Sequence, residues 1–186
     1  MKLAPITHIY KMIMKLKYNI AIDKKCWKMI DSHDFIFGET KKTQNYPVTE
    51  VLVNQLGKLW SHGIEEKFYK GIYKIFNKEF PKDFICYVNS TPYSMDLAGG
   101  ISISASTKTP IRTICHEANH YMFRKSGYND LYFPSHGIED AKEIFTIINN
   151  LYFLDIMEEQ DLGWKKFWQE RYAFLEKWIK DHRDSL

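Results

Sequence analysis

The stretch TICHEANHYM, residues 113–122, carries two histidines four positions apart, with a glutamate directly after the first. In an α-helix, residues four apart lie on one face, one turn from each other. His116 and His120 can therefore bind the same metal ion while Glu117 lies beside it. Two imidazoles suit Zn²⁺, and a catalytic zinc site needs three protein ligands, which leaves its fourth position for water. Glu117 is the candidate general base toward that water.

Signals around the motif predict a helix over residues 110–126. Thr109 suits the N-cap, Pro110 suits the first helical position, and Gly127 suits the position after the end. The neighbours of the two histidines are uncharged, as expected for a helix that is buried on most sides.

The HExxH motif resembles the extended active-site signature of the zincin metallopeptidases. The resemblance covers residues 84–155, where strands, the HExxH helix and a second helix bearing acidic residues follow in that order. It implies a zinc-dependent peptidase in which Glu117 is the base. It also implies that an edge strand, here ISISAS at 101–106, pairs with an extended substrate.

The residues after the motif separate two branches of this family. A metzincin would continue as HExxHxxGxxH, but Phe123 stands at the glycine position and Ser126 at the third histidine position. The metzincin branch is therefore rejected. The chain is similar to the gluzincins instead, in which the third zinc ligand is a glutamate on the next helix.

Two glutamates one helical turn apart, Glu139 and Glu143, are candidates for this third ligand. Glu139 falls in the first turns of a helix that Ser135 would cap, where an acid is expected simply because of the helix dipole. Glu143 lies at the border of the apolar face, beside Ile147, so burial favours it.

One departure from the gluzincin pattern keeps Glu139 as the alternative. Gluzincins usually carry an acid four residues after the ligand, but position 147 is Ile, whereas Glu143 stands four residues after Glu139. The predicted metal ligands are His116, His120 and Glu143, and Thr146 is a candidate hydroxyl that supports them.

The resemblance also implies a tyrosine or histidine that stabilises the oxyanion, and the segment between the ligands offers Tyr128, Tyr132 and His136. The sequence does not choose among them. The other histidines lack partners at ligand spacing and are interpreted as structural or solvated. They are His8, His33, His62 and His182.

The rest of the chain predicts an α+β fold of the zincin-like kind, with a small mixed or antiparallel sheet packed on the HExxH helix and the glutamate helix. Residues 1–80 look mainly helical, with a break near Gly63. Residues 84–89 and 101–106 read as strands of a hairpin or meander, with the serine-bearing strand at an edge. A helix over 138–154 and a C-terminal helix within 163–186 complete the prediction.

The 186 residues include 45% hydrophobic residues and have a formal net charge of +3, which predicts one domain spanning 1–186. So small a charge indicates neither a nucleic-acid nor a membrane partner. No apolar run is long enough for a signal peptide core or a membrane span. The three cysteines show no CxxC spacing, so a reducing, cytoplasmic location is expected.

The first functional hypothesis is a zinc metallopeptidase with a polypeptide substrate. The second is a zincin-like binding or regulatory module with little or no proteolysis. The retained Glu117 argues against this module, because a structural zinc site has no need for a base. A third hypothesis is a hydrolase of non-peptide amides or esters, since the same chemistry attacks any polarised carbonyl. The sequence does not indicate the oligomeric state.

Overall fold

A mixed four-stranded sheet forms one layer of the fold. The computed structural model describes residues 14–32, 44–81 and 83–183, apart from the side chain of His62. The sheet has the order β1-β2-β4-β3, and its strands are β1 (Lys15–Tyr18), β2 (Ile85–Asn89), β3 (Met95–Leu97) and β4 (Gly100–Ser104). The α+β class expected from the sequence is therefore correct.

The pairing of these strands differs from the predicted hairpin between 84–89 and 101–106. β2 runs parallel to both β1 and β4, and the short β3 pairs antiparallel with β4. The tight reversal thus lies between β3 and β4, and among the described strands β1 and β3 are the edges. The expected edge position of the ISISAS strand is wrong, because β4 lies between β2 and β3.

The serines of β4 are buried, and each has a hydrogen-bonding partner. Asn89 donates to Ser102 Oγ at 2.7 Å, and the Ser104 hydroxyl donates to the carbonyl of Thr91. At Gly100 a Cβ would lie 2.6 Å from the carbonyl oxygen of Ile85, so the close approach of β2 and β4 requires glycine there.

The N-terminal part contains three described helices. They are α1 (Ile20–Ser32), α2 (Glu50–Leu59) and α3 (His62–Phe76). Thr49 caps α2 by accepting a hydrogen bond from the backbone N–H of Leu52 at 3.2 Å. The helical prediction is right here, except that β1 was missed and that the break falls at 60–61 rather than at Gly63. Residues 1–13 and 33–43, with His8 and His33, lie outside the described residues.

The HExxH helix α4 (Pro110–Phe123) is buried along most of its length. It begins as predicted at Pro110 but ends three residues earlier than expected. Gly127 has a φ of +78° and directly precedes the short helix α5 (Tyr128–Tyr132). Its left-handed backbone therefore starts the next element instead of ending α4.

The predicted helix over 138–154 is divided into three parts. α6 (Ile138–Phe145) leads into a 3₁₀ turn (Thr146–Ile148), which is followed by α7 (Asn149–Tyr152). Gly137, not Ser135, occupies the N-cap position of α6. A second 3₁₀ turn (Lys165–Phe167) then precedes the C-terminal helix α8 (Trp168–Asp181).

One continuous apolar cluster joins the sheet to these helices. α4 packs on β3 and β4 on one side and on α3 and α6 on the other, while α8 packs on α6. Phe145 of α6 lies against Phe123, Phe174 and Trp178, which ties the HExxH helix to the C-terminal helix. The motif helix is therefore held at the centre of the fold.

No helix in the described part of the chain has both the length and the hydropathy that a membrane-spanning segment requires.

Candidate metal centre

The imidazoles of His116 and His120 lie one turn apart on α4, with ring centroids 4.3 Å apart. Glu143 on α6 faces both of them. Its Oε2 is 3.5 Å from His116 Nε2, and its Oε1 is 3.6 Å from His120 Nε2. Two helices thus bring two imidazole nitrogens and a carboxylate to one point.

Two atoms at this point are buried without any hydrogen-bond partner in the described residues. They are His120 Nε2 and Glu143 Oε2. Buried polar groups in folded proteins are nearly always satisfied, so this pair marks a place where a cation or a water molecule would find partners. Ligand atoms of His116, Glu117 and His120 also lie within 4.8 Å of one another. A donor set of imidazole nitrogen and carboxylate oxygen fits Zn²⁺.

Glu139, the alternative ligand, lies away from this point. Its side chain is 62% exposed and accepts two hydrogen bonds from Arg124, each of 2.8 Å. These hydrogen bonds lower the pKa of the Glu139 carboxyl. Of the two glutamates, the structure brings only Glu143 next to both histidines.

Glu117 points into a cleft beside the histidines and is 7% exposed. Its Oε2 lies 3.6 Å from His120 Nδ1. Burial raises the pKa of the Glu117 carboxyl to about 8. Such a carboxyl is mostly protonated at neutral pH, and a cation held by the neighbouring histidines would lower its pKa toward the range in which it can accept a proton.

Asp161 orients His116 from the side opposite Glu143. Its Oδ2 lies 2.8 Å from His116 Nδ1, and its side chain is fully buried. Burial disfavours the Asp161 carboxylate, but His116 and Arg171 outweigh it and lower its pKa to about 2. Burial likewise opposes protonation of His116, yet Asp161 and Glu143 raise the imidazole pKa to about 10.

A buried polar network surrounds Asp161. Asn149 donates to its Oδ2 at 3.0 Å, and Arg171 donates to its Oδ1 at 3.2 Å. Arg171 also donates to the Thr146 hydroxyl at 2.7 Å and to the backbone carbonyl of Glu143. The same arginine therefore contacts the residue that orients His116 and the backbone of the third candidate ligand.

Thr146 supports the backbone of Glu143 and not its carboxylate, since its hydroxyl donates to the Glu143 carbonyl at 3.0 Å. Gly163, near Asp161, has a φ of +58°, and a Cβ there would lie 2.4 Å from Arg171 Nη1. Only glycine therefore fits beside the Arg171 guanidinium.

The surroundings of His120 are charged and more loosely arranged. Its Nδ1 lies 3.3 Å from Lys142 Nζ and 3.9 Å from Asp96 Oδ1. Asp96, on the edge strand β3, pairs with both Lys142 and Arg124. Burial opposes ionisation of Asp96, but Lys142 and Arg124 lower its pKa. Burial lowers the pKa of His120 well below its usual value.

The cleft next to the histidines has a volume of about 470 Å³. His116 and Glu117 line it together with hydroxyl side chains from β4 and the following loop, and with Leu162 and Trp164. The cleft has the size of a typical ligand-binding pocket.

The three candidate oxyanion stabilisers lie elsewhere. Tyr128 donates from its hydroxyl to the carbonyl of Ile75 at 2.9 Å, and Tyr132 packs in a tilted arrangement against Trp178. His136 contacts the ring of Phe133. Among the described residues, none of the three forms a hydrogen bond with His116, Glu117 or Glu143.

His182 stacks on Trp178 with ring centroids 3.9 Å apart, as its structural interpretation expected.

Sequence reasoning missed Asp161, Arg171 and Asp96. Asp161 follows two other acids in EEQDLGW, residues 158–164, and no periodicity separates it from them. The only signal was its proximity to Gly163, which marks a loop.

Comparisons of the chain with protein-family models, with curated proteins and with solved structures gave no match. The resemblance to the zincins therefore depends on the motif and on the side chains gathered around it.

Proposed function

We propose that the protein is a zinc-dependent metallopeptidase of gluzincin-like type. The observation that carries the proposal is the convergence of His116, His120 and Glu143, with two buried atoms that lack any partner unless a cation lies between them. These three side chains would hold the ion.

Zinc, when bound, polarises a carbonyl group and lowers the pKa of water toward about 7. Glu117 would accept the proton of the water that attacks the peptide carbonyl carbon. It would then deliver that proton to the leaving amine as the carbon–nitrogen bond breaks. Its buried position beside His120 suits this double role.

Asp161 would hold His116 in the tautomer that leaves Nε2 free for the ion. Its Oδ2 accepts the proton on His116 Nδ1, and its own position is set by Asn149 and Arg171. Such outer carboxylates fix the ring orientation of a histidine ligand and raise its basicity.

The substrate in this proposal is an extended polypeptide. The edge strand β3 pairs with β4 on one side only among the described residues, so its other side can accept a substrate backbone by strand addition. This assigns to β3 the role that the sequence had suggested for residues 101–106.

The proposal includes a reducing, cytoplasmic location. Cys26, Cys86 and Cys115 are all buried and free, and burial raises the pKa of each thiol. They suit a compartment in which thiols stay reduced.

The test compares wild type with Glu117→Gln for zinc content and for hydrolysis of a random-sequence peptide pool, followed by mass spectrometry. We expect near one zinc per chain in both proteins and cleavage by wild type only, since Gln keeps the shape but cannot accept the proton. Glu176→Gln, at an exposed position on α8, is the matched control and should cleave like wild type.

Other outcomes separate the alternatives. Zinc with no cleavage of any peptide, but with hydrolysis of simple esters or acyl amides, would favour the non-peptide hydrolase. Zinc with no hydrolysis at all would favour the binding module. Full activity of Glu117→Gln would contradict the mechanism.

A further inference from the structure

The cleft contains an arginine that the proposed chemistry does not use. Arg112 lies on α4 one turn before His116, and its side chain is 26% exposed. It lines the same cleft as His116 and Glu117. A positive group is thus placed one helical turn from the reacting centre.

The backbone and Nε of Arg112 are fixed by neighbours. Glu158 accepts hydrogen bonds from the backbone N–H groups of Ile111 and Arg112, each of 2.9 Å. Arg112 Nε donates to Thr109 Oγ1 at 3.1 Å. Among the described residues, its terminal Nη1 and Nη2 groups donate no hydrogen bond. These two groups are therefore free to donate to a further carboxylate, while Nε is already engaged by Thr109 and Glu159.

A hydroxyl group elsewhere in the same cleft adds a further donor. Ser94 Oγ accepts a hydrogen bond from the backbone N–H of Ser104 at 2.9 Å and donates none among the described residues. The Thr113 hydroxyl, in contrast, already donates to the carbonyl of Thr109 at 2.8 Å. Arg112 and Ser94 thus leave donor groups unused at the cleft surface.

The acid that pairs with the Arg112 guanidinium, Glu159, would compete only weakly with a substrate carboxylate. Glu159 Oε1 lies 3.3 Å from Arg112 Nε, but the Glu159 side chain is 59% exposed. Ion pairs at such exposed positions contribute little, because solvent screens them. A substrate acid inside the cleft would be better shielded from water than Glu159.

We propose that Arg112, together with Ser94 in the same cleft, provides a subsite for a carboxylate group of the substrate. This inference rests on the proposed peptidase function. The Cβ atoms of residues one helical turn apart are about 5–6 Å from each other, the long Arg112 side chain can add to this distance, and an extended residue spans about 3.5 Å. The carboxylate would therefore lie within a few residues of the bond that is cleaved.

Such a carboxylate has two sources in a peptide: an Asp or Glu side chain, or the carboxyl end of the chain. An acidic side chain would make the protein an endopeptidase with acidic preference. A terminal carboxylate would make it remove residues from the end of a peptide.

The experiment uses a random-sequence decapeptide pool in two forms, with free and with amidated carboxyl ends. Zinc-loaded wild type, Arg112→Gln, Glu159→Gln and Arg183→Gln are compared by mass spectrometry of the products. Arg183, exposed on the segment after α8, is the matched control for loss of one guanidinium.

If the subsite binds a side-chain carboxylate, Asp and Glu should be enriched at one fixed position relative to the cleaved bond. Arg112→Gln should then lower kcat/KM for those peptides at least about tenfold. For a terminal carboxylate, cleavage stays at a fixed distance from the end and amidation abolishes it. In either case Glu159→Gln should raise the preference for peptides that carry this carboxylate roughly threefold, because it removes an anion that competes for Arg112. Arg183→Gln should match wild type.

The same pool is also passed over zinc-loaded Glu117→Gln, and retained peptides are identified. Cleavage without any preference for a carboxylate, or a preference unchanged in Arg112→Gln, overturns the subsite and leaves the peptidase standing. A second outcome is that wild type cleaves nothing, but Glu117→Gln retains acidic peptides and the double variant Glu117→Gln/Arg112→Gln does not. This outcome supports the subsite and refutes the peptidase. Neither cleavage nor such retention overturns both.

Discussion

The two histidines of the motif have different surroundings, although they lie one turn apart on the same helix. His116 Nδ1 meets a fully buried carboxylate at 2.8 Å, and that carboxylate belongs to a network with Asn149 and Arg171. His120 Nδ1 meets Lys142 at 3.3 Å and Asp96 at 3.9 Å, in a cluster that reaches the surface through Arg124.

The comparison teaches that two histidines of one motif can be held in two physical ways. A short hydrogen bond to a buried partner fixes the tautomer and the angle of the His116 ring. The longer contacts around His120 set the local charge but do not fix the ring, which is held by packing because it is only 2% exposed. Three substitutions test this difference, in order of expected effect.

Removal of the Glu143 carboxylate, which lies next to both histidines, should have the largest effect. Glu143→Gln should weaken zinc binding by more than about a hundredfold, because losing a ligand costs more than losing an outer partner. Competition with a chromophoric chelator measures the affinity. Glu139→Gln is the matched control on the same helix and should change the affinity less than about threefold. The reverse order would make Glu139 the ligand.

Asp161→Asn should have the next largest effect, on the His116 side. We expect zinc affinity to fall by about 10- to 100-fold. The neutral amide is a weaker hydrogen-bond acceptor for His116 Nδ1–H than the carboxylate, so it orients the imidazole less firmly. The same chelator titration measures the loss, and thermal unfolding of the metal-free protein tests whether the fold is intact. An affinity equal to that of wild type would refute the orienting role of Asp161.

Asp96→Asn should have the smallest effect, on the His120 side. Removing this charge should weaken zinc binding only about threefold, because its 3.9 Å contact with His120 Nδ1 is too long for a hydrogen bond. Zinc titration at low and high salt measures the change, and the difference from wild type should shrink as salt screens the cluster. A loss as large as that of Asp161→Asn would abolish the distinction between the two histidines.

The helices of the site could be predicted because their signals are local. Thr109, Pro110 and the apolar spacing define where α4 begins, and the wheel position of Glu143 predicts that it lies at the border of the apolar face. The structure brings Glu143 next to both histidines, as this position suggested.

The sheet pairing and the orienting carboxylate could not be predicted, because they depend on contacts between distant parts of the chain. Alternating side chains show which face of a strand is buried but not which strand lies beside it. β3 is only three residues long, which is too short to show an alternating pattern in the sequence. Asp161 is one acid among several in its loop, and only its burial distinguishes it.

The loop that carries Asp161 contacts the HExxH helix at two levels. Glu158 accepts the N–H groups at the start of α4, and Asp161 meets His116 one turn later. Because His116 and Asp161 are 45 residues apart, the helix leaves the ribosome before the loop that orients its histidine. At about 5–20 residues per second, the nascent chain exists for some seconds with an incomplete site. The proposed centre would therefore reach its full zinc affinity only after synthesis has passed Arg171.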